Sequence, residues 1–173
     1  MSTSLFDLSV KSFIQVVEAS TGVLAKGKAY CEEQNIDLAS VVETKIIDDM
    51  ADFHFQVVCI THQSVRAIHA LRSGEFNPPA GYARMDYQGL MDLTQASLDE
   101  LKAMSEDEIN GLAGGTVTFK MGKFEVPFTT ENFILSFSHP NLYFHATTTY
   151  DILRMQGTPL GKMDFLGAMR AGV

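Results

Sequence analysis

The chain has 173 residues, 46% of them hydrophobic and 20% charged, with 21 acidic against 13 basic side chains and a net charge of −8. That length and composition suit a single domain, residues 1–173, built on one sizeable core. The acidic balance opposes counterion release from nucleic acid and attraction to an anionic membrane surface, so neither partner is expected. Cys31 and Cys59 fall in separate helical segments without metal-ligand spacing and read as reduced, part-buried thiols. The stretch Met1–Phe6 has no basic region leading into an apolar run, and no later stretch reaches membrane-span length, so a cytoplasmic protein is expected.

From about Ser4 to Glu33, apolar residues such as Leu5, Leu8, Phe13, Val17, Val23 and Leu24 recur every three or four positions, the mark of an amphipathic helix. Asn35 and Asp37 end it, and Asp37 is placed to cap a short helical turn over Leu38–Val42. A second long helix is predicted from about Asp48 to Arg72, closed by Ser73-Gly74, with Met50, Phe53, Val57, Ile60, Ser64, Ile68 and Leu71 as its stripe. His54, His62 and His69 flank that stripe on one edge. Their spacings separate them by about 12 and 10.5 Å along the axis, so at most one could ligate a given ion.

Pro78-Pro79 holds a loop extended between Glu75 and Ala83. A third helix is predicted over about Tyr87–Met104, and Ser105-Glu106-Asp107-Glu108 opens a further turn as a capping-box sequence. From Thr116 to Thr129 the period changes to two, which predicts a β-hairpin. With Met121-Gly122 as its turn, Phe119 would face Phe124 and Val117 would face Val126. Pro127 suits an edge position.

The fourth long helix starts near Thr130-Glu131, should kink or restart at Pro140, and stops at Gly157. Phe137, Asn141, Phe144, His145, Thr148 and Ile152 fall within about a 100° arc, which sets an amide, an imidazole and a hydroxyl in an apolar stripe. Each such group left unpartnered would cost about 1–3 kcal/mol, so the stripe calls for hydrogen-bond partners, water, a metal ion or a ligand. A core histidine bonded to a neighbouring helix, or to Asn141 one turn away, is the leading reading of His145. His54 and His62 read as helix-edge residues, His69 and His139 as surface or capping residues. Tyr150 and Arg154 lie about 180° from Asn141 and suit an interface or a clamp on the C-terminal tail, where Leu160, Phe165 and Leu166 should pack back. The sum is a mainly α, four-helix bundle with a β-hairpin inserted before the last helix.

The segment Asn141-x-x-x-His145, followed by Ile152-Leu153-Arg154-x-x-Gly157-x-Pro159-Leu160-Gly161-Lys162-x-Asp164-Phe165-Leu166-Gly167, resembles the domain of unknown function 1993 family within the DinB/YfiT-like metalloenzyme superfamily. Asp49-Met50, Gln56, Pro140-Asn141 and Tyr150 match that pattern too. The resemblance spans nearly the whole chain and implies a DinB-like bundle that pairs as a homodimer. In the wider superfamily three histidines, one on the second helix and two at His-x-x-x-His on the fourth, hold a divalent metal that serves thiol transfer or hydrolysis. The corresponding positions here are Asn141 and His145, with His54 or His62 as the second-helix ligand. An amide therefore replaces one imidazole, and amide oxygen is a poor ligand for zinc or nickel.

Two functions follow as expectations. One is a metal-dependent enzyme with a degenerate site, in which zinc or nickel held by His145 and one of His54 and His62 activates a water or thiol while Asn141 orients the bound molecule. The other is a non-catalytic module that has lost the metal tripod and binds a small molecule or a second copy of itself. No Ser-His-Asp order, nucleophile elbow, P-loop, dinucleotide fingerprint or EF-hand loop is present.

Overall fold

The computed structural model describes residues 3–171; Met1, Ser2, Gly172 and Val173 lie outside it. The first helix opens as a π turn, Asp7–Lys11, and continues as α1, Ser12–Glu33. Asp37 accepts the Ala39 amide at 3.0 Å and starts α2, Leu38–Val42, as the sequence predicts. The second long helix begins later than its periodicity suggests. Asp52 caps it through the Phe55 amide, so α3 runs Phe53–Thr61, widens into a π turn at His62–Arg66, and ends as α4, Ala67–Ser73, where Gly74 turns left-handed at φ 77°. Helix α5 spans Tyr87–Lys102 behind an Asp86 cap, and α6 spans Glu106–Asn110, where Ser105 makes no side-chain cap.

A two-residue strand, β1 (Glu75–Phe76), lies parallel to β2 (Thr116–Met121), which pairs antiparallel with β3 (Phe124–Thr129). The hairpin is real, but its register differs from the expected one by two residues: Phe119 faces Val126, Val117 faces Phe128, and Met121 faces Phe124. Gly122, at φ 63°, occupies the first position of the turn, where a two-residue hairpin loop needs positive φ, so Gly122-Lys123 and not Met121-Gly122 is the turn. Pro127 sits on the outer strand, where its missing donor costs no ladder bond.

The fourth long helix is continuous through Pro140. It comprises α7 (Thr130–Asn132), a π turn (Phe133–Ser138) and α8 (His139–Met155). Pro140 has no amide to return to the preceding turn, and the helix accommodates this by widening there instead of breaking. Ser138 and His139, adjacent on this helix, each take up a main-chain carbonyl from another π turn. Ser138 donates to the Gln63 carbonyl at 2.5 Å, and His139 Nε2 donates to the Leu8 carbonyl at 2.7 Å. His139 is therefore a buried cross-tie rather than a surface or capping residue.

The core has two lobes. One gathers Phe13, Ile68, Phe76, Phe133 and Leu142 beneath the sheet; the other gathers Leu24, Phe53, Val57, Tyr87, Leu90 and Leu153. Where α1 crosses its neighbours, Gly27 is required by space: a Cβ there would lie 2.6 Å from the Tyr87 hydroxyl and 2.7 Å from Leu153. Past Gly157, the tail returns as expected. Tyr150 donates to the Leu160 carbonyl, Arg154 to the Thr158 carbonyl, and α9 (Lys162–Leu166) lies on α1 through a Gln15 bond to the Leu166 carbonyl. No helix among the described residues is long and apolar enough to cross a membrane.

Candidate functional site

The polar face of α8 meets α3 at His145. Its Nδ1 lies 2.7 Å from Oε1 of Gln56, and the Gln56 amide nitrogen donates to the Ala51 carbonyl at 3.0 Å. The carbonyl can only accept, so the amide must present its oxygen to the imidazole, and Nδ1 must carry the proton. The other ring nitrogen, Nε2, makes no protein hydrogen bond among the described residues and is an acceptor whenever the ring is neutral. Burial, with the nearby His62 as the second cause, lowers its pKa from 6.5 to about 4. Phe55 and Phe144 set their ring edges against it, at 6.1 and 5.2 Å between centroids, and both are exposed on the outer side.

The structure brings His145 to the second helix, but Gln56 is its hydrogen-bond partner, not His54, His62 or Asn141. Asn141 turns back on its own helix and donates to the Phe137 carbonyl at 2.7 Å. Phe144, expected inside, is 55% exposed, because the inner stripe of α8 is Leu142, Ala146, Thr149, Ile152 and Leu153.

His54 and His62 have a different task from the expected helix-edge one: both are buried, and together they hold the strap that joins β1 to α5. The Met85 amide donates to His54 Nε2 at 3.1 Å. At the other end, His62 Nε2 donates to the Asn77 carbonyl at 2.8 Å, and the Tyr82 hydroxyl approaches His62 Nδ1 at 3.5 Å. The two rings thus use opposite forms of the same nitrogen, one accepting and one donating, and desolvation lowers both pKa values, which keeps them neutral. Arg84 adds an ion pair to Asp52 at 2.6 Å. His54→Ala should free the Met85 end: the Met85 amide is expected to exchange at least tenfold faster than in the parent, and an unchanged exchange rate would show that His54 does not anchor the strap.

These assignments decide whether a metal fits. His54 spends its one acceptor nitrogen on a main-chain amide, His62 has Nε2 on the Asn77 carbonyl and Nδ1 beside the Tyr82 hydroxyl, and Asn141 is turned onto Phe137. Among the described residues no group of three or more His, Cys, Asp or Glu side chains comes together in a way that could hold a metal ion. The donor set does not fit a three-ligand zinc or nickel centre.

A family model, described as a domain of unknown function (DUF1993), matches residues 5–166. The chain belongs to that family. A crystal structure of a DinB family member protein from Shewanella denitrificans resembles this DUF1993 chain with a TM-score of 0.79 and 24% identity, covering 98% of this chain and 95% of that one. At that identity the likeness concerns the fold, a DinB-type bundle. No curated protein matches the DUF1993 chain. Gln56, like Asp49, belongs to the resemblance alone, and its bond to His145 is a role that the sequence reading does not assign.

Proposed function

We propose that this DUF1993 chain is a small-molecule-binding module that works without a resident metal and presents a neutral His145 imidazole as its recognition group. The observation that carries this reading is the relay from the Ala51 carbonyl through Gln56 to His145 Nδ1, which fixes the tautomer and leaves Nε2 to accept a hydrogen bond. Flanked by Phe55 and Phe144, that acceptor suits a ligand with one hydrogen-bond donor on an apolar body. The alternative, a metal-dependent transferase or hydrolase, needs one of His54 and His62 beside His145 with Asn141 turned toward them, whereas both histidines are tied to the strap and Asn141 bonds back to Phe137.

Metal analysis separates the two. Protein purified without an affinity tag is expected to carry well under one equivalent of zinc or nickel, and to melt at the same temperature with and without a chelator. A full equivalent of metal that disappears in His145→Ala would overturn the proposal and restore the metal-dependent reading.

A further inference from the structure

Beyond the His145 centre, we propose a second binding site for a small organic carboxylate with an apolar body, in the cleft between α4 and the strap, with Arg66 receiving the carboxylate. The cleft has a volume of about 460 Å³, within the range that holds small-molecule ligands, and neither His145 nor Gln56 lines it.

Its two walls differ in chemistry. His62, Arg66, His69 and Ser73 follow one another at helical spacing and form a polar wall that carries a permanent positive charge. Facing them, β1 supplies Phe76 and the strap supplies Pro78 and Tyr82 as an apolar wall. Phe76 is fixed there by β1 and by the ring of His62, 4.7 Å away between centroids.

Arg66 is what gives the cleft its preference. The guanidinium is exposed, lies 3.3 Å from His69 Nδ1, and has no carboxylate partner among the described residues, whereas Arg72 and Arg84 are each paired. The neighbouring acid, Glu75, is already engaged: Lys120 pairs with one of its oxygens at 2.5 Å and Asn77 donates to the other at 2.9 Å. His69 is likewise bound to Glu100. In a chain of net charge −8, an open arginine fork beside an apolar wall is a site for a planar carboxylate that lays its body against Tyr82 and Pro78, over the buried Phe76.

Benzoate and benzyl alcohol, which share a body and differ in charge, test this on the full chain by amide chemical-shift titration. Benzoate is expected to bind saturably with shifts centred on Phe76, Ala80, Tyr82 and Ala70, and benzyl alcohol at least tenfold more weakly. Arg66→Gln should weaken benzoate at least tenfold and leave both benzyl alcohol binding and the melting temperature unchanged, as the exposure of Arg66 predicts. His145→Gln should leave benzoate binding unchanged. Equal binding of the two probes, no saturable benzoate binding, or an Arg66→Gln variant that binds benzoate normally would overturn the site. Benzoate shifts centred on Phe55 and Phe144 and abolished by His145→Gln would also overturn it, while supporting the His145 centre.

Discussion

Phe133→Ala is expected to destabilise the protein by about 3–5 kcal/mol, the cost of a buried ring lost from a packed site. Phe133 is fully buried and joins the fourth helix to β1 and β3. Its ring stacks on Phe137 at 5.6 Å and meets Phe76 edge-on at 5.1 Å and Phe128 at 6.0 Å. Removing it opens a cavity among the rings of Phe76, Phe128 and Phe137, on which β1 and β3 rest. For a chain of this size the loss corresponds to a fall in melting temperature of roughly 6–20 °C. Phe144→Ala, by contrast, should change stability by no more than about 0.5 kcal/mol, since its ring is mostly in solvent. Thermal unfolding of the two variants side by side checks both, and similar losses in the two would contradict the packing described.

Acid should begin to destabilise the fold well above the pH range in which free carboxylates are protonated. His145 has a pKa of about 4 in the folded chain against 6.5 as a free group, so between those values the unfolded chain binds a proton that the folded chain refuses. Stability is therefore fully present above pH 6.5, falls as pH drops toward 4, and loses nothing more from this group below that. The loss from His145 is roughly 2–3 kcal/mol, less than the full span between the two values because the ring is only part-buried. His54, His62 and His139 are shifted the same way, so the slope has several contributors. His145→Gln isolates one of them: urea unfolding at pH 7 and pH 4.5 should show the parent losing at least 1 kcal/mol more than the variant. Equal losses would mean that His145 takes up its proton as readily in the folded state.

The sequence conveys the bundle well, because long segments of period 3.6 and a sudden change to period two are robust to error. Asp37 as a cap, Gly74 as a stop, and the Tyr150 and Arg154 clamp on the tail are all local chemistry, and all are found. What failed depends on phase or on distant partners. The hairpin register turned on which of two adjacent pairs held the turn, and Gly122 decides it by its place in the loop. Phe144 was misplaced because an inner face drawn at a constant 100° per residue cannot follow a helix that widens at 133–138. Strand β1 is two residues long and exists only because β2 is beside it. His54 and His62 suggested a ligand set by their type, while their work is done by main-chain groups of the strap, which carry no residue signature. The same blindness hid Gln56: its role needs the Ala51 carbonyl on one side and His145 on the other.

Each π turn inserts one extra residue into its helix, and so rotates everything after it by about a quarter of a revolution. The bearing of His145 is consequently decided upstream, by the wide turn that Ser138 and His139 lock to the two other helices. A relative that shares the motif but lacks that extra residue would aim the corresponding side chain elsewhere, so positional equivalence along this helix is a matter of angular offset as much as of alignment. Aligned identity at that position is then informative only when the six residues of the turn, 133–138, are wound the same way.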